Sequence, residues 1–366
     1  MCNVRLTKRM PATPKLQRTD GKAVQPLMVS VEGYLHASTK GMLRVRSSPG
    51  NPHSCWKEVN EALVALKLPA GREVIFAERG PCGRQLLERL QSPGFRPGNV
   101  SSVLVFVNSD SNLDADLQHR LLTLLPTMQA CYATNLMRPT RPDIFYPIPL
   151  GLASHHYTPY DRVVYEPVLR RFRASAPRWA ERSSQLLMFA WESLPKHAVT
   201  LGRKKHRAQL LAHLMAKQFA RDVRPIERRV SFEEALAMTG QHKFVLSAPG
   251  MGYDAFRTWE TLAMGSIPVV LALPSMDQRL FDGFPVVRLP ANISQITPAL
   301  LEQWLAVAQE PVEHVSGLYL SHWQDRWWQH LQGGGTRSAL PQASHPEPGA
   351  RGRDLQRAQS GRSAGV

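Results

Sequence analysis

The sequence lacks a hydrophobic run long enough to cross a membrane. A membrane-spanning helix needs about eighteen or more consecutive apolar residues, and no such run occurs. The opening residues, MCNVRLTKRMPATPKLQR, also lack the apolar centre of a secretory signal. Their basic, acid-poor composition leaves an organelle transit peptide open. We therefore expect no membrane span, and the compartment stays open.

Cysteine is scarce, and its spacing speaks against a zinc site. The four cysteines are Cys2, Cys55, Cys82 and Cys131. They form no C-x-x-C pair and have no clustered histidine partner, as a zinc site would need. A chain of 366 residues can build a core without disulfide bonds, so we expect reduced thiols.

The positive charge is concentrated at the two ends of the chain. The net charge is +16, of which residues 1–48 carry +7 and residues 332–366 carry +3. Aromatic residues are not interleaved with these charges, as they often are in nucleic-acid-binding segments. We therefore expect solvated, disordered ends and no specific nucleic-acid partner. A basic scaffold whose ends bind anionic polymers is the alternative.

The stretch Lys243–Leu271 predicts a βαβ unit of a parallel sheet. An apolar run at Phe244–Ser247 is broken by Gly250 and Gly252, and a second buried strand follows at Ile267–Leu271. The residues between the glycines and the second strand indicate a short helix. In parallel sheets ligands bind beyond the carboxyl ends of the strands, which is where the glycine-rich turn lies. The sequence therefore predicts a ligand site at this turn.

The helix of this unit carries two charged residues on one face. We expect Asp254 to cap its amino end and Gly265 to end it in a left-handed conformation. Arg257 and Glu260 are three positions apart and share a face. A diphosphate there would meet backbone amides, the helix dipole and the Arg257 guanidinium together, and Glu260 could accept two hydroxyls of a ribose or hexose. The alternative is an ordinary surface ion pair.

The same residues resemble the signature of exostosin-like glycosyltransferases. That family carries a Pro-Gly-rich loop, then D-x-x-R-x-W-E, then a small residue followed by G-x-I-P-V. The matching runs here are Asp254-Ala255-Phe256-Arg257-Thr258-Trp259-Glu260 and Gly265-Ser266-Ile267-Pro268-Val269. Met251 departs from the family's preference for Asn between the glycines. The resemblance covers about residues 186–305, with a fainter likeness around residues 103–150.

The resemblance implies an α/β, GT-B-like fold with two Rossmann-like domains facing across a cleft. The chain then divides into a disordered basic segment (1–48), an acceptor-side domain (49–175), a nucleotide-sugar-binding domain (176–331) and a disordered tail (332–366). The implied partners are a nucleotide sugar, most often a UDP-sugar, and a glycan acceptor. No metal and no further cofactor are expected, and the oligomeric state stays open. Family members reach the Golgi through an amino-terminal anchor, for which this sequence offers no apolar run.

The resemblance also assigns roles to single residues. The predicted donor-binding residues are Gly250, Gly252, Asp254, Arg257, Glu260 and Arg207. Arg257 would hold the diphosphate and Glu260 the ribose or sugar, and the two glycines would let the backbone approach the phosphates. Arg207 matches an arginine before the first helix of the family's donor domain. The predicted catalytic residues are Arg257, Glu260 and Asp110, the last as a base or acceptor-site residue after the strand Ser102–Val107.

Two other functions stay open. Gly250-x-Gly252-x-x-Ala255 also fits the dinucleotide fingerprint G-x-G-x-x-G/A of an NAD-dependent oxidoreductase. That reading requires an acidic residue about twenty positions further on, and the nearest, Asp277, comes later. The amino-terminal half is short for a Rossmann-like domain, which leaves a nucleotide-sugar- or glycan-binding protein without turnover as the second alternative.

Three further groups have both a functional and a structural interpretation. Asp114 and Asp116 could hold a metal ion or cap the next helix. His155 and His156 could supply a base or form an ordinary loop pair. The tryptophans near the end of the body could form a sugar platform or pack into the core: Trp323, Trp327 and Trp328. We favour the structural interpretation in each case.

Overall fold

The computed structural model is an α/β protein built on two five-stranded parallel sheets. The residues that the structure describes are 16–17, 23–24, 42–45, 56–67, 71–78, 81–107, 112–152, 162–190, 203–250, 252–307 and 315–332. Strands and helices alternate along most of this chain. Such alternation is expected because neighbouring parallel strands need a crossover connection.

The first sheet comes from the amino-terminal half. A short antiparallel pair precedes it, made of β1 (Leu16–Gln17) and β2 (Ala23–Val24). The following elements are β3 (Met42–Val45), α1 (Trp56–Leu66), β4 (Gly71–Glu78), α2 (Pro81–Leu90), β5 (Val100–Val107), α3 (Ala115–Leu124), β6 (Met128–Ala133) and β7 (Phe145–Pro147). The strand order is β3-β4-β5-β6-β7, so consecutive strands are neighbours.

The second sheet comes from the carboxy-terminal half. Its elements are α4 (Arg162–Ser175), β8 (Ser183–Phe189), α5 (Arg203–Leu214), β9 (Val223–Ile226), α6 (Phe232–Gln241), β10 (His242–Leu246), α7 (Phe256–Ala263), β11 (Ile267–Ala272), β12 (Val287–Pro290), α8 (Pro298–Val307) and α9 (Leu320–Leu331). The strand order is β12-β11-β10-β8-β9. The chain leaves β8 toward one edge and β10 toward the other. The crevice between β8 and β10 is therefore the topological switch point of the sheet.

The predicted βαβ unit is confirmed as β10, α7 and β11. Phe244 pairs with Ile267 in parallel register, and β11 is buried along almost its whole length. Gly265 has a φ of +74°, the left-handed conformation expected after the helix.

Each face of the first sheet packs against a different set of helices. Leu104 and Phe106 belong to a buried cluster with residues of α1, α2 and α3. Val103 and Val105 point to the opposite face, since strand side chains alternate, and share a cluster with Trp327 of α9. Helix α9 contacts β4, β5 and β6. Trp327 is fully buried, so the core-packing interpretation of this tryptophan is confirmed.

Two helices pack across the predicted division of the chain at residues 175 and 176. Helix α4 precedes that division but packs on α6 and α7 of the second sheet. Helix α9, near the end of the described chain, packs on the first sheet. Contacts therefore tie the two halves together in both directions.

Ordered structure begins earlier than composition predicts. The segment 1–48 is expected to be disordered, yet Met42–Val45 forms β3 and pairs with Val74–Ala77. The prediction was wrong there because backbone pairing with a neighbouring strand, which composition does not reveal, orders this short edge strand. Residues 333–366 of the predicted tail lie outside the described residues.

The carboxyl ends of the two sheets meet. Leu136 and Arg138 follow β6, and Ser275 and Asp277 follow β11. The Arg138 amide donates to the Ser275 carbonyl at 3.0 Å, and the Asp277 amide donates to the Leu136 carbonyl at 3.1 Å. The loops after the strands of each sheet therefore touch, which places both sets of strand ends at one interface.

The fold class expected from the sequence is confirmed. The protein is α/β and GT-B-like, with two Rossmann-like parallel sheets whose carboxyl ends face each other. Among the described residues, no helix combines the length and apolar character that a membrane span needs.

Candidate functional site

Helix α7 begins at the switch point of the second sheet. It follows β10 through the glycine-rich loop, residues 247–255. Arg257 is its second residue, and the guanidinium carbon lies 4.3 Å from the centre of the Phe189 ring. Phe189 is the last residue of β8. Arg257 therefore links the start of the helix that follows β10 to the carboxyl end of β8.

Arg257 and Glu260 lie together on α7, as their spacing predicts. Arg257 Nη1 is 3.6 Å from Glu260 Oε2, and the side chains are only 17% and 9% exposed. Exposed ion pairs are screened by water and contribute little. Charges shielded in this way interact more strongly with each other and with an incoming ligand. The ordinary surface pair considered as the alternative does not describe this geometry.

Two arginines fix the carboxyl end of α7. Arg173 Nη1 donates to the Ala263 carbonyl at 3.1 Å, and Arg182 Nη1 donates to the Gly265 carbonyl at 2.9 Å. Cations at this end complement the negative pole of the helix dipole. Burial, and to a smaller extent the charge of Arg173, lowers the pKa of Arg182. The helix that carries Arg257 is thus held at its far end as well.

Asp254 does not cap α7. The N-cap residue is Ala255, which makes no side-chain cap bond. Asp254 Oδ1 accepts hydrogen bonds from the Ala255 amide at 2.8 Å and from Trp259 Nε1 at 2.9 Å. Asp254 Oδ2 accepts from the Leu150 amide, in the first half of the chain, at 2.6 Å. The capping prediction was wrong because Asp254 stands one residue before the N-cap, where donors from the core and the opposite half reach it.

The Asp254 carboxyl is nearly inaccessible to water. Burial raises its pKa to about 7, while the bonds from Leu150, Trp259 and Ala255 act in the opposite direction. Its partner Trp259 is buried against Phe281 and Phe284. Asp254 therefore links the glycine-rich loop, the core of the second half and the first half of the chain.

The two glycines of the loop have different surroundings. A Cβ placed on Gly250 would meet no atom within 4 Å, whereas a Cβ on Gly252 would lie 2.5 Å from Asn135 Nδ2. Open space at Gly250 suits the predicted approach of a phosphate to the backbone. The lack of a side chain at Gly252 serves contact with the first half of the chain instead.

Asn135 is a residue of this site that sequence reasoning missed. Its side-chain Oδ1 accepts hydrogen bonds from the amides of Tyr253 at 2.8 Å and Asp254 at 2.9 Å. It has a φ of +52°, a conformation that asparagine tolerates better than most residues. The one available signal was an asparagine two residues after a short apolar run that ends at Ala133.

A buried hydroxyl pair joins the two ends of the glycine-rich loop. Ser247 Oγ lies 2.8 Å from Thr258 Oγ1. Ser247 follows β10 and Thr258 lies in the first turn of α7. Both residues are buried, so this bond contributes to fixing the loop between strand and helix.

Arg207 lies on the other side of the switch point. It belongs to α5, which connects β8 to β9, and it is 9% exposed. The β8–β9 and β10–β11 connections run in opposite directions along the sheet. Since such crossovers are right-handed, α5 and α7 lie on opposite faces. The helices of Arg207 and Arg257 therefore flank the crevice from its two sides.

Other predicted residues lie outside the described residues: Asp110, His155, His156 and Met251. Their roles stay predictions. Asp114 is described, and its Oδ1 accepts from the Leu117 amide at 3.0 Å as the N-cap of α3, which confirms the capping interpretation. In the described part of the chain, no group of three or more His, Cys, Asp or Glu residues is placed to hold a metal ion.

Asp277 has a structural role. Its Oδ2 lies 2.6 Å from Arg279 Nη2, and its Oδ1 accepts from the Arg279 amide at 3.0 Å, which caps the short helix Gln278–Phe281. A dinucleotide fingerprint requires an acidic residue available to a ribose. The geometry therefore disfavours the oxidoreductase alternative.

Comparisons with known proteins find likeness only among solved structures. No family model and no curated protein matches the sequence. The α,α-trehalose-phosphate synthase (UDP-forming) of Burkholderia xenovorans has a TM-score of 0.36 and 12% identity, over 76% of each chain. The enzyme of that description from Burkholderia vietnamiensis has a TM-score of 0.36 and 10% identity, over 76% of this chain and 74% of that one. The iron-containing dodecameric glycosyltransferase TibC of E. coli H10407 has a TM-score of 0.19 and 14% identity, over 66% of this chain and 76% of that one. Likenesses this weak assign no residue and no activity.

Proposed function

We propose that the protein is a glycosyltransferase that transfers a sugar from a nucleoside-diphosphate donor to a hydroxyl acceptor. The observation that carries the proposal is the shielded pair of Arg257 and Glu260 at the amino end of α7. The pair stands at the switch point between β8 and β10, where open parallel sheets bind their ligands.

The amino end of α7 suits the diphosphate of the donor. The first amides of a helix have no acceptor within the helix, and its dipole favours negative charge there. Arg257 adds a guanidinium at the same end, and Gly250 leaves open space beside the loop. These groups together would bind two phosphates without a metal ion.

The same groups would assist the reaction. The acceptor hydroxyl oxygen attacks the anomeric carbon of the sugar, and the bond from that carbon to the diphosphate oxygen breaks. The nucleoside diphosphate leaves with the bonding electrons, and a base takes the hydroxyl proton. Arg257 and the α7 dipole stabilise the negative charge on the leaving group, which is where preorganised donors lower the barrier most. Asp110 is the proposed base.

Glu260 supports the donor assignment further. A shielded carboxylate one turn from Arg257 can accept hydrogen bonds from neighbouring hydroxyls, which suits a ribose or a hexose. Together with the D-x-x-R-x-W-E run, this favours an exostosin-like enzyme that uses a UDP-sugar and a glycan acceptor.

A thermal-shift panel of UDP, GDP and NAD tests the proposal. UDP should raise the melting temperature of the wild type, because a ligand that binds only the folded state stabilises it. The shift should be clearly smaller in Arg257→Ala. Arg178→Ala is the matched control, because Arg178 is an exposed arginine whose salt bridge with Glu181 lies on the surface.

Two other outcomes of this panel would indicate different functions. A shift with NAD and none with UDP would contradict the proposal and support the oxidoreductase. A UDP shift without sugar transfer to any acceptor in a broad glycan panel would identify a nucleotide-sugar-binding protein.

A further inference from the structure

The glycine-rich loop of the second sheet is held by a residue of the first sheet. Asn135 follows β6, and its Oδ1 accepts from two successive loop amides, those of Tyr253 and Asp254. These hydrogen bonds span 118 and 119 positions of the chain. The loop therefore takes its conformation in part from the opposite half of the protein.

The contact is tight at the neighbouring glycine. A Cβ on Gly252 would lie 2.5 Å from Asn135 Nδ2 and 2.8 Å from Oδ1. Real Cβ atoms do not approach other atoms so closely. The carboxamide thus fills the space that a side chain at position 252 would occupy, and no room is left for a Cβ there.

The backbone of Asn135 is itself constrained. Its φ of +52° is the one positive φ of a non-glycine residue in the described chain. Its carbonyl accepts from the Leu113 amide at 3.2 Å. A left-handed residue persists when its surroundings hold it in place, and such residues cluster at ligand clamps. Here that conformation accompanies a carboxamide directed at the loop.

We infer that Asn135 is a positioning residue for the donor site. It fixes the backbone of residues 252–254, and through it the start of α7 that carries Arg257, so that the loop meets a nucleoside diphosphate preformed. This inference rests on the proposed function, because the ligand is the diphosphate of the proposed donor. A preformed loop binds more tightly, since less conformational entropy is lost on binding.

The contact of Asn135 with the loop couples donor binding to the association of the two halves of the protein. Asn135 belongs to the first sheet and the diphosphate would bind the second. Donor affinity then depends on the contact between Asn135 and the loop, and by thermodynamic linkage donor binding strengthens that contact. Asn135 contributes two hydrogen bonds and one close packing contact to this coupling, beside the bond from the Leu150 amide to Asp254.

The test uses the full-length chain, with UDP as the probe and calorimetry as the readout. Asn135→Gly removes the carboxamide yet tolerates the left-handed backbone, so the variant is expected to fold. Its UDP affinity should fall about tenfold. One hydrogen bond is worth roughly a factor of ten in affinity, and water partly replaces the two bonds that are lost. Gly252→Ala should weaken UDP binding at least as much, because the methyl group displaces the carboxamide.

The double variant tests whether Asn135 and Gly252 affect UDP affinity through one shared contact or through two independent ones. The three atoms nearest to a Cβ at position 252 all belong to the Asn135 carboxamide, so its removal relieves the closest contacts of a methyl group there. Asn135→Gly/Gly252→Ala should therefore bind UDP as well as Asn135→Gly alone. Such non-additivity is the signature of residues in direct contact. Penalties that add in the double variant would overturn the inference.

Arg279→Lys is the matched control. Arg279 also joins the two halves, donating to the carbonyls of Pro142 at 2.7 Å and Phe145 at 2.6 Å, neither of which belongs to the glycine-rich loop. The lysine variant loses this forked geometry, so its melting temperature should fall while its UDP affinity stays at the wild-type value. An equal loss of affinity in Arg279→Lys would show a general effect of loosening the interface and contradict the inference.

UDP binding separates a failure of the proposed function from a failure of the positioning role of Asn135. If the wild type does not bind UDP, the proposed function is wrong. If the wild type binds UDP and Asn135→Gly binds it equally well, only the positioning role of Asn135 is wrong.

Discussion

The Arg257 guanidinium carbon lies 4.3 Å from the centre of the Phe189 ring. This contact joins the start of α7 to the last residue of β8. An aromatic face attracts a cation through its quadrupole, and it restricts where the guanidinium can move. Phe189 therefore contributes to placing the charge that the proposed diphosphate would meet.

Replacing Phe189 with leucine should weaken UDP binding about fivefold, because a cation–π contact is worth roughly 0.5–2 kcal/mol. Leucine keeps the apolar character of the position while removing the aromatic face. Titration calorimetry measures the change. Phe172→Leu is the control, since the Arg171 guanidinium lies 5.2 Å from the Phe172 ring on α4, outside the site. Equal losses in the two variants would contradict a specific role for Phe189.

Asp254 should give the protein a distinctive dependence of stability on pH. Burial raises the folded-state pKa to about 7, above the ordinary value of about 4. The contribution of this carboxyl to stability is therefore complete below about pH 4 and is lost as the pH rises to about 7. The excess stability of the wild type over Asp254→Asn should be larger at pH 5 than at pH 8.

Urea unfolding of both proteins at the two pH values measures that difference, and the other titrating groups largely cancel between them. A difference that is equal at pH 5 and pH 8, or larger at pH 8, would show that the three N–H donors around Asp254 outweigh its burial.

Gly265→Ala should destabilise the protein by roughly 1–3 kcal/mol, the usual range for a residue forced into a poorly populated backbone conformation. Its φ is +74°, and an added Cβ would collide with the Arg173 guanidinium that bonds to the end of α7. Urea unfolding gives the change in free energy. Gly94→Ala is the control, since a Cβ there meets nothing within 4 Å, and it should be close to neutral. A neutral Gly265→Ala would contradict the described helix end.

The local features of the site could be predicted from the sequence. The strand, the loop and the helix follow one another within about thirty residues. Such short-range structure can be predicted from hydrophobic periodicity and from the positions of glycines. The spacing of Arg257 and Glu260 likewise fixes their shared helix face. Gly265 follows the same logic, because its conformation depends on the helix that it ends.

The features that could not be predicted depend on residues distant in the sequence. Asp254 accepts from Leu150, which is 104 positions away, and Asn135 reaches the loop across more than a hundred residues. Capping rules consider only the adjoining turn, so they assigned Asp254 to the wrong partner. The local sequence around Phe189 gives no sign of its contact with Arg257, because the two residues meet only when the sheet is assembled.

Comparing UDP with UMP shows whether Arg257 binds the diphosphate of a nucleotide donor. The two ligands differ by the second phosphate, so the ratio of their affinities isolates the binding of that group. We expect the wild type to prefer UDP by about tenfold or more, a difference within reach of one charge-assisted contact. Arg257→Ala should bring the ratio close to one, with UMP binding little changed. A wild type that binds UDP and UMP equally, or an Arg257→Ala protein that keeps the full preference, would show that Arg257 does not bind the diphosphate.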